Sequence, residues 1–192
     1  MKRKPLILLV LLSLVFLYSS CIYWNKKPEV NVIMRSERKD LQKSSLLILN
    51  MIEPSYATGS GARTAEIFHS SLLKSKKFRI VGLCVDSPWV RVSDGEETRL
   101  MDAVEEARKR NFDYVLAGEL TDYYYGGIQT SRVSIKIRVI EVATRITIFF
   151  AQYSRQNEAK DSSFPMNTKL SGTAQRPEKL VTEIVDAFIA KM

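Results

Sequence analysis

The chain has 192 residues and 29 Lys+Arg against 21 Asp+Glu, a net charge of +8. At this length one domain is the default, and 45% hydrophobic with 26% charged residues is globular rather than disordered composition. Two Cys and one His exclude a disulfide scaffold, a Cys-only zinc site and His-rich metal sites.

The first element is an export signal. Met1-Lys2-Arg3-Lys4 is a positive n-region, and Leu6 to Leu17 is apolar apart from Ser13. Tyr18, Ser19, Ser20 and Cys21 follow. A charged start, a short apolar core and small residues at the cut site define a secretory signal. The small pair directly before Cys21 resembles the lipobox of bacterial lipoproteins, with Tyr18 where Leu is usual. That resemblance implies cleavage after Ser20 and acylation of Cys21. The alternative is an uncleaved anchor. Leu6–Leu17 is too short for a bilayer core of ~30 Å, but an extension to Trp24 can span one. Cleavage also removes Lys2, Arg3 and Lys4, so the basic balance becomes modest. With no groove-reading motif, nucleic acid is not an expected partner.

Residues 21–44 are charged and weakly periodic, which suits a tether. Within them Val30, Val32 and Ile33 allow a short edge strand or docking onto the body. The folded domain is expected over 45–192. Leu46 to Ile52 is a continuous apolar run closed by Glu53-Pro54, the pattern of a buried strand. A Gly-bearing loop leads into a helix over 62–74, with Ala65, Phe68, Leu72 and Leu73 on one face. Phe78 to Val85 reads as a second strand. Ser93 or Asp94 caps the next helix, whose stripe is Leu100, Met101, Val104 and Ala107. Phe112 to Leu120 is a third strand. Residues 121–131 read as a loop with its tip at Gly126-Gly127. Val133, Ile135, Ile137 and Val139 alternate with polar residues, and Ile146 to Tyr153 pairs with them across a turn at Ala143-Thr144-Arg145. Arg145 stands where a positive φ would favour Gly. Residues 154–176 are polar and loop-like. Pro177 to Met192 is an amphipathic helix with Pro in its first turn. The order β-α-β-α-β-β-β-α predicts an α/β fold, a mixed sheet with helices packed on it.

Two patterns carry a wider resemblance. Asp113-Tyr114-Val115-Leu116-Ala117-Gly118-Glu119-Leu120 is followed by the alternating strand Val133 to Val142. Together with the element order, these resemble the CsgG-like group of envelope lipoproteins. That group includes the curli secretion channel, the LpoB activators of penicillin-binding proteins and relatives of the N-terminal domain of TolB. The resemblance implies a lipid-anchored protein of the bacterial cell envelope, at the periplasmic face of the outer membrane, since Ile22 rather than Asp follows Cys21. It implies a binding or assembly factor for a secretion or surface-structure apparatus, or an activator of a peptidoglycan synthase. The alternative it carries is a subunit of an oligomeric secretion ring of the curli-channel type. Membrane strands need about 9–11 residues each, and neither 121–131 nor 154–176 holds two of them, so pore formation is not carried over.

No motif demands catalysis, so the expectation is no enzyme, no cofactor and no metal. Gly59-Ser60-Gly61 before a helix suits an anion, but neither a P-loop nor a dinucleotide fingerprint is completed. His69 has no ligand partners at helical spacing. Asp86, Asp94, Asp113, Glu119 and Asp122 take capping and turn roles by default. Cys84 lies in an apolar run and reads as a buried small hydrophobe. The expected partners are membrane lipid, through acylated Cys21, and another envelope protein, with a homo-oligomer allowed. The partner-binding candidates are Tyr123, Tyr124 and Tyr125, because consecutive tyrosines in an extended chain place rings on both faces. The loop aromatic Trp89 joins them.

Overall fold

The computed structural model describes residues 29–35, 41–85, 96–127, 130–158 and 174–192. Cys21, Trp89, Asp86, Asp94 and the expected signal peptide lie outside the described residues. Strands β1 (Glu29–Arg35), β2 (Ser45–Leu49), β3 (Ile80–Cys84), β4 (Tyr114–Tyr125), β5 (Thr130–Glu141) and β6 (Thr147–Glu158) form one sheet. Its order is β1-β6-β5-β4-β2-β3. Helices α1 (Ser60–Ser75), α2 (Glu96–Lys109) and α3 (Pro177–Lys191) pack on it. The predicted α/β class is the observed one.

Strand β2 pairs parallel with β3 and β4, whereas β4, β5, β6 and β1 pair antiparallel. Every residue of β2 is buried, so both faces need cover. Leu46 and Ile48 face a large core with Phe68 and Leu72 of α1 and Leu180, Ile184 and Phe188 of α3. Leu47 and Leu49 face a smaller core with Ala103, Val104 and Ala107 of α2. A strand buried on both faces reads as a continuous apolar run, and Leu46–Leu49 does. Strands β5 and β6 instead alternate. Val133, Ile135, Ile137, Ala151 and Tyr153 lie in the large core, while Lys136, Gln152 and Ser154 are only partly buried.

Phe188 organises the large core. Its ring meets Phe68, Phe149 and Tyr153 edge-on, with centroids 5.5, 5.3 and 6.4 Å away. Edge-to-face contact sets the positive ring edge against the negative ring face.

Several local expectations change. Leu73 and Met101, expected on the apolar faces of their helices, are 50% and 43% exposed. The stretch 29–35, inside the expected tether, takes the edge-strand alternative as β1. Val30 sits opposite Tyr153 in the register and packs on the core. Residues 121–131 are not a loop: β4 runs on to Tyr125 and β5 starts at Thr130, because cross-strand pairing continues to Tyr125↔Ser131. Similarly, β6 runs to Glu158. Finally, Arg145 does adopt a positive φ of 62°. Its backbone N–H donates to the Glu141 carbonyl at 2.8 Å and its guanidinium to Glu105 at 3.1 Å, bonds that offset the strain.

Phe188→Ala removes the shared partner of three rings and leaves a cavity. The expected loss is about 3–5 kcal/mol, read from the urea unfolding midpoint. A loss below about 1 kcal/mol would contradict this role for Phe188.

Candidate functional site

Beyond β2 the chain remains extended and runs beside β4. The Ile52 N–H donates to the Gly118 carbonyl at 2.9 Å, and the Leu120 N–H donates to the Ile52 carbonyl at 2.8 Å. This delivers Glu53 to the start of α1. Its carboxylate accepts from the Gly59 N–H at 2.9 Å and the Gly61 N–H at 2.7 Å. Gly59-Ser60-Gly61 thus serves as the loop that turns strand into helix, and the anion its N–H groups suit is supplied from within the chain. A carboxylate is favoured there by the free N–H groups and the positive end of the helix dipole. Gly59 provides the positive φ of 84° that turns the loop into the helix. Gly61 is required by space, since a Cβ there would fall on the Met51 carbonyl oxygen.

The loop between Glu53 and Gly59 carries Tyr56. Its hydroxyl donates to Asp122 Oδ1 at 3.1 Å and accepts from the Tyr123 N–H at 3.4 Å. Asp122 Oδ2 also accepts from Arg132 Nε. The loop is thus pinned to the far end of β4. Pairing of β4 with β5 shifts register between Leu120 and Asp122. This bulge changes which residues face the core. Leu120 is in the large core, and so three positions later Tyr123 packs on it rather than Asp122. Tyr124 and Tyr125 are left 49% exposed each, and Tyr56 is 64% exposed.

Between loop, helix start and strand end lies a cleft of about 470 Å³. It is lined by Tyr56, Ser60, Arg63, Tyr123, Tyr124 and Tyr125, among others. Arg63 Nη1 donates to Glu178 Oε1 at 2.8 Å and ties α1 to the first turn of α3. Burial opposes ionisation of Glu178, but hydrogen bonds from its own backbone N–H and from Arg63 outweigh it and hold its carboxyl below the ordinary range. Burial pushes the Tyr123 hydroxyl up to about 12, with the Glu178 carboxylate adding to the shift and Arg63 opposing it. Ser60 is 6% exposed and its Oγ has no hydrogen-bond partner among the described residues. The cleft is thus a mixed surface of aromatic faces and hydroxyls whose charges are already paired.

The three predicted tyrosines come together here. Sequence reasoning missed Tyr56, Arg63 and Glu178. Tyr56 carried a usable signal as a loop aromatic, whereas the Arg63–Glu178 pair joins residues far apart in the chain. The remaining candidates are structural. His69 Nε2 lies 3.2 Å from the Val81 carbonyl. Cys84 is buried, with Sγ 3.9 Å from Glu106 Oε1. Asp113 accepts from the Ser45 N–H and Oγ, both at 2.8 Å, and joins the starts of β2 and β4. Among the described residues, no group of three His, Cys, Asp or Glu side chains is placed to hold a metal ion.

No protein-family model matches this chain, and no curated protein matches it significantly. Solved structures do. The PelC dodecamer of Paraburkholderia phytofirmans has a TM-score of 0.61 over 85% of this chain and 95% of that chain, at 14% identity. Lipoprotein GNA1162 of Neisseria meningitidis is looser, with a TM-score of 0.47, 13% identity, and 77% and 96% of the two chains. The LpoB C-terminal domain of Escherichia coli has a TM-score of 0.40, 15% identity, and 58% and 82%. At this identity the likeness to PelC is one of fold, and the two looser matches carry no argument.

Two measurements probe the site. Gly61→Ala is expected to cost about 1–3 kcal/mol, because the Met51 backbone must move. Burial raises the hydroxyls of Tyr123 and Tyr153 from 10.0 to about 12. Between about pH 10 and 12 the unfolded chain releases protons that the native chain keeps. Stability from these groups is therefore fully present below pH 10 and falls as pH rises. Tyr153 Oη has no hydrogen-bond partner among the described residues, so Tyr153→Phe should be close to neutral below pH 10. The same variant should flatten the fall of the urea midpoint above it, and an unchanged slope would contradict the assignment.

Proposed function

We propose that this chain is a lipid-anchored protein of the bacterial cell envelope that acts as a binding or assembly factor, not as an enzyme. The observation that carries the reading is the exposed tyrosine cleft, on a body preceded by a segment, residues 1–20, that reads as an export signal before Cys21. An aromatic surface with hydroxyl tips suits docking at an interface. Among the described residues, Arg63 is paired with Glu178 and Arg132 with Asp122. Among the described residues no helix is long and apolar enough to cross a membrane, which leaves attachment to the N-terminal segment in this reading. The CsgG-like resemblance supports service to a secretion or surface-structure apparatus, or activation of a peptidoglycan synthase, at the outer membrane. Tyr123, Tyr124 and Tyr125, with Trp89, are the proposed docking residues.

A second reading has one observation in its favour. PelC shares the fold and is a dodecamer, which supports an oligomeric ring as the working form. Native mass spectrometry of the full-length protein, extracted from its own membrane in mild detergent, tests both. The expected species is a chain that starts at Cys21 and bears lipid. A lipid-free mass that retains residues 1–20 would refute the lipid anchor. The copy number decides between a monomer or dimer and a ring of many copies.

A further inference from the structure

The strand register locates where the chain joins its body. Asp122 of β4 pairs with Ser134 of β5, Ser134 with Ser154 of β6, and Ser154 with Glu29 of β1. This row crosses four strands, and Tyr123, Tyr124 and Tyr125 lie one to three residues beyond it, within ~10 Å along the strand. Strand β1 runs away from this end, since Arg35 pairs with Phe149 and Phe149 with Val139. Glu29, the first described residue, therefore sits at the tyrosine end of the sheet. Cys21 is eight positions earlier. An extended chain spans at most ~3.3–3.6 Å per residue, so Cys21 lies within ~30 Å of Glu29.

Among the described residues, that end is set apart by its exposed tyrosines. Six tyrosines are among the described residues. The three exposed ones, Tyr56, Tyr124 and Tyr125, are all here, whereas Tyr114 and Tyr153 are buried and Tyr123 is partly buried. Helices α1 and α3 both begin here, as the Arg63–Glu178 pair between their first turns requires. Their positive dipole ends therefore point the same way. Exposed Arg176 and Lys179 accompany them, whereas Arg63 and Arg132 are paired with Glu178 and Asp122. The short connection from Cys21 reads Ile22-Tyr23-Trp24-Asn25-Lys26-Lys27-Pro28, again aromatic and basic. Tyr and Trp favour the headgroup layer, where an apolar ring and a polar tip are both satisfied. Basic side chains favour anionic headgroups.

We infer that the tyrosine end of the sheet rests on the membrane, with Tyr56, Tyr124 and Tyr125 in the phospholipid headgroup layer and Arg176 and Lys179, at the start of α3, at the phosphates. The inference rests on the lipid anchor of the proposed function, and it reassigns the cleft from a protein partner to a lipid surface. The opposite end of the sheet, with the Thr144 turn, then points away from the bilayer and is free to meet an envelope partner.

Spin labels read this directly. Tyr124→Cys and Thr144→Cys are made singly in the full-length chain with Cys84→Ser, extracted from membranes and reconstituted in vesicles of phosphatidylethanolamine and phosphatidylglycerol. The label at 124 is expected to collide more with oxygen and less with a nickel chelate than the label at 144, which should behave as in water. Aqueous behaviour at both positions on vesicle-bound chain overturns the inference. So does protection of position 124 that requires added envelope protein, which would assign the cleft to a protein partner. The mass of the same preparation separates the two claims. Protection at 124 on a lipid-free chain, confirmed with Cys21→Ser so that position 124 alone carries the label, sustains membrane contact while removing the acyl anchor, and an aqueous 124 on a lipid-bearing chain does the reverse.

Discussion

Burial of β2 on both faces is the constraint from which the architecture follows. Its five residues leave no solvent-facing side, so the sheet needs helices above and below it. The chain provides α1 and α3 on one face and α2 on the other. Parallel pairing of β2 with β3 and β4 requires crossover connections, and α1 and α2 lie in those connections. The antiparallel half escapes the requirement. Its second face is polar, and Lys136, Ser134, Gln152 and Ser154 are tolerated there because water still reaches them.

The cleft is a consequence of the same framework. The extended segment after β2 hydrogen-bonds to Gly118 and Leu120 on β4, so Glu53 arrives where the N–H groups of α1 begin. Tyr56 follows three residues later and reaches Asp122 across the sheet end. The bulge after Leu120 then turns Tyr123 inward and leaves Tyr124 and Tyr125 half-exposed. Three elements distant in sequence thus meet through bonds among their own polar groups. The cleft that remains presents rings and hydroxyls, with Arg63 paired to Glu178.

The fold was legible because its signals are local and periodic. The Leu46–Leu49 run, the 3.6-residue stripes of the helices and the alternation from Val133 to Val139 each report burial along one element. The misses have one cause. The extensions of β4, β5 and β6 are polar and aromatic, and cross-strand pairing rather than composition holds them in strand form. Strand β1 depends similarly on the free edge of β6. At Arg145, Gly would have been the cheaper residue, but bonds to Glu141 and Glu105 offset the strain.

By itself the sequence determined the class of fold and the three consecutive tyrosines, because each is written in contiguous residues, and it supplied the proposal of an export signal before Cys21. Tertiary structure alone decided that Glu53, and not a ligand, caps α1, that Tyr56 and Arg63 join the tyrosines, and that the chain enters the sheet at the tyrosine end. These depend on strand register and on one bulge, and a shift of a single residue there moves every side chain to the opposite face.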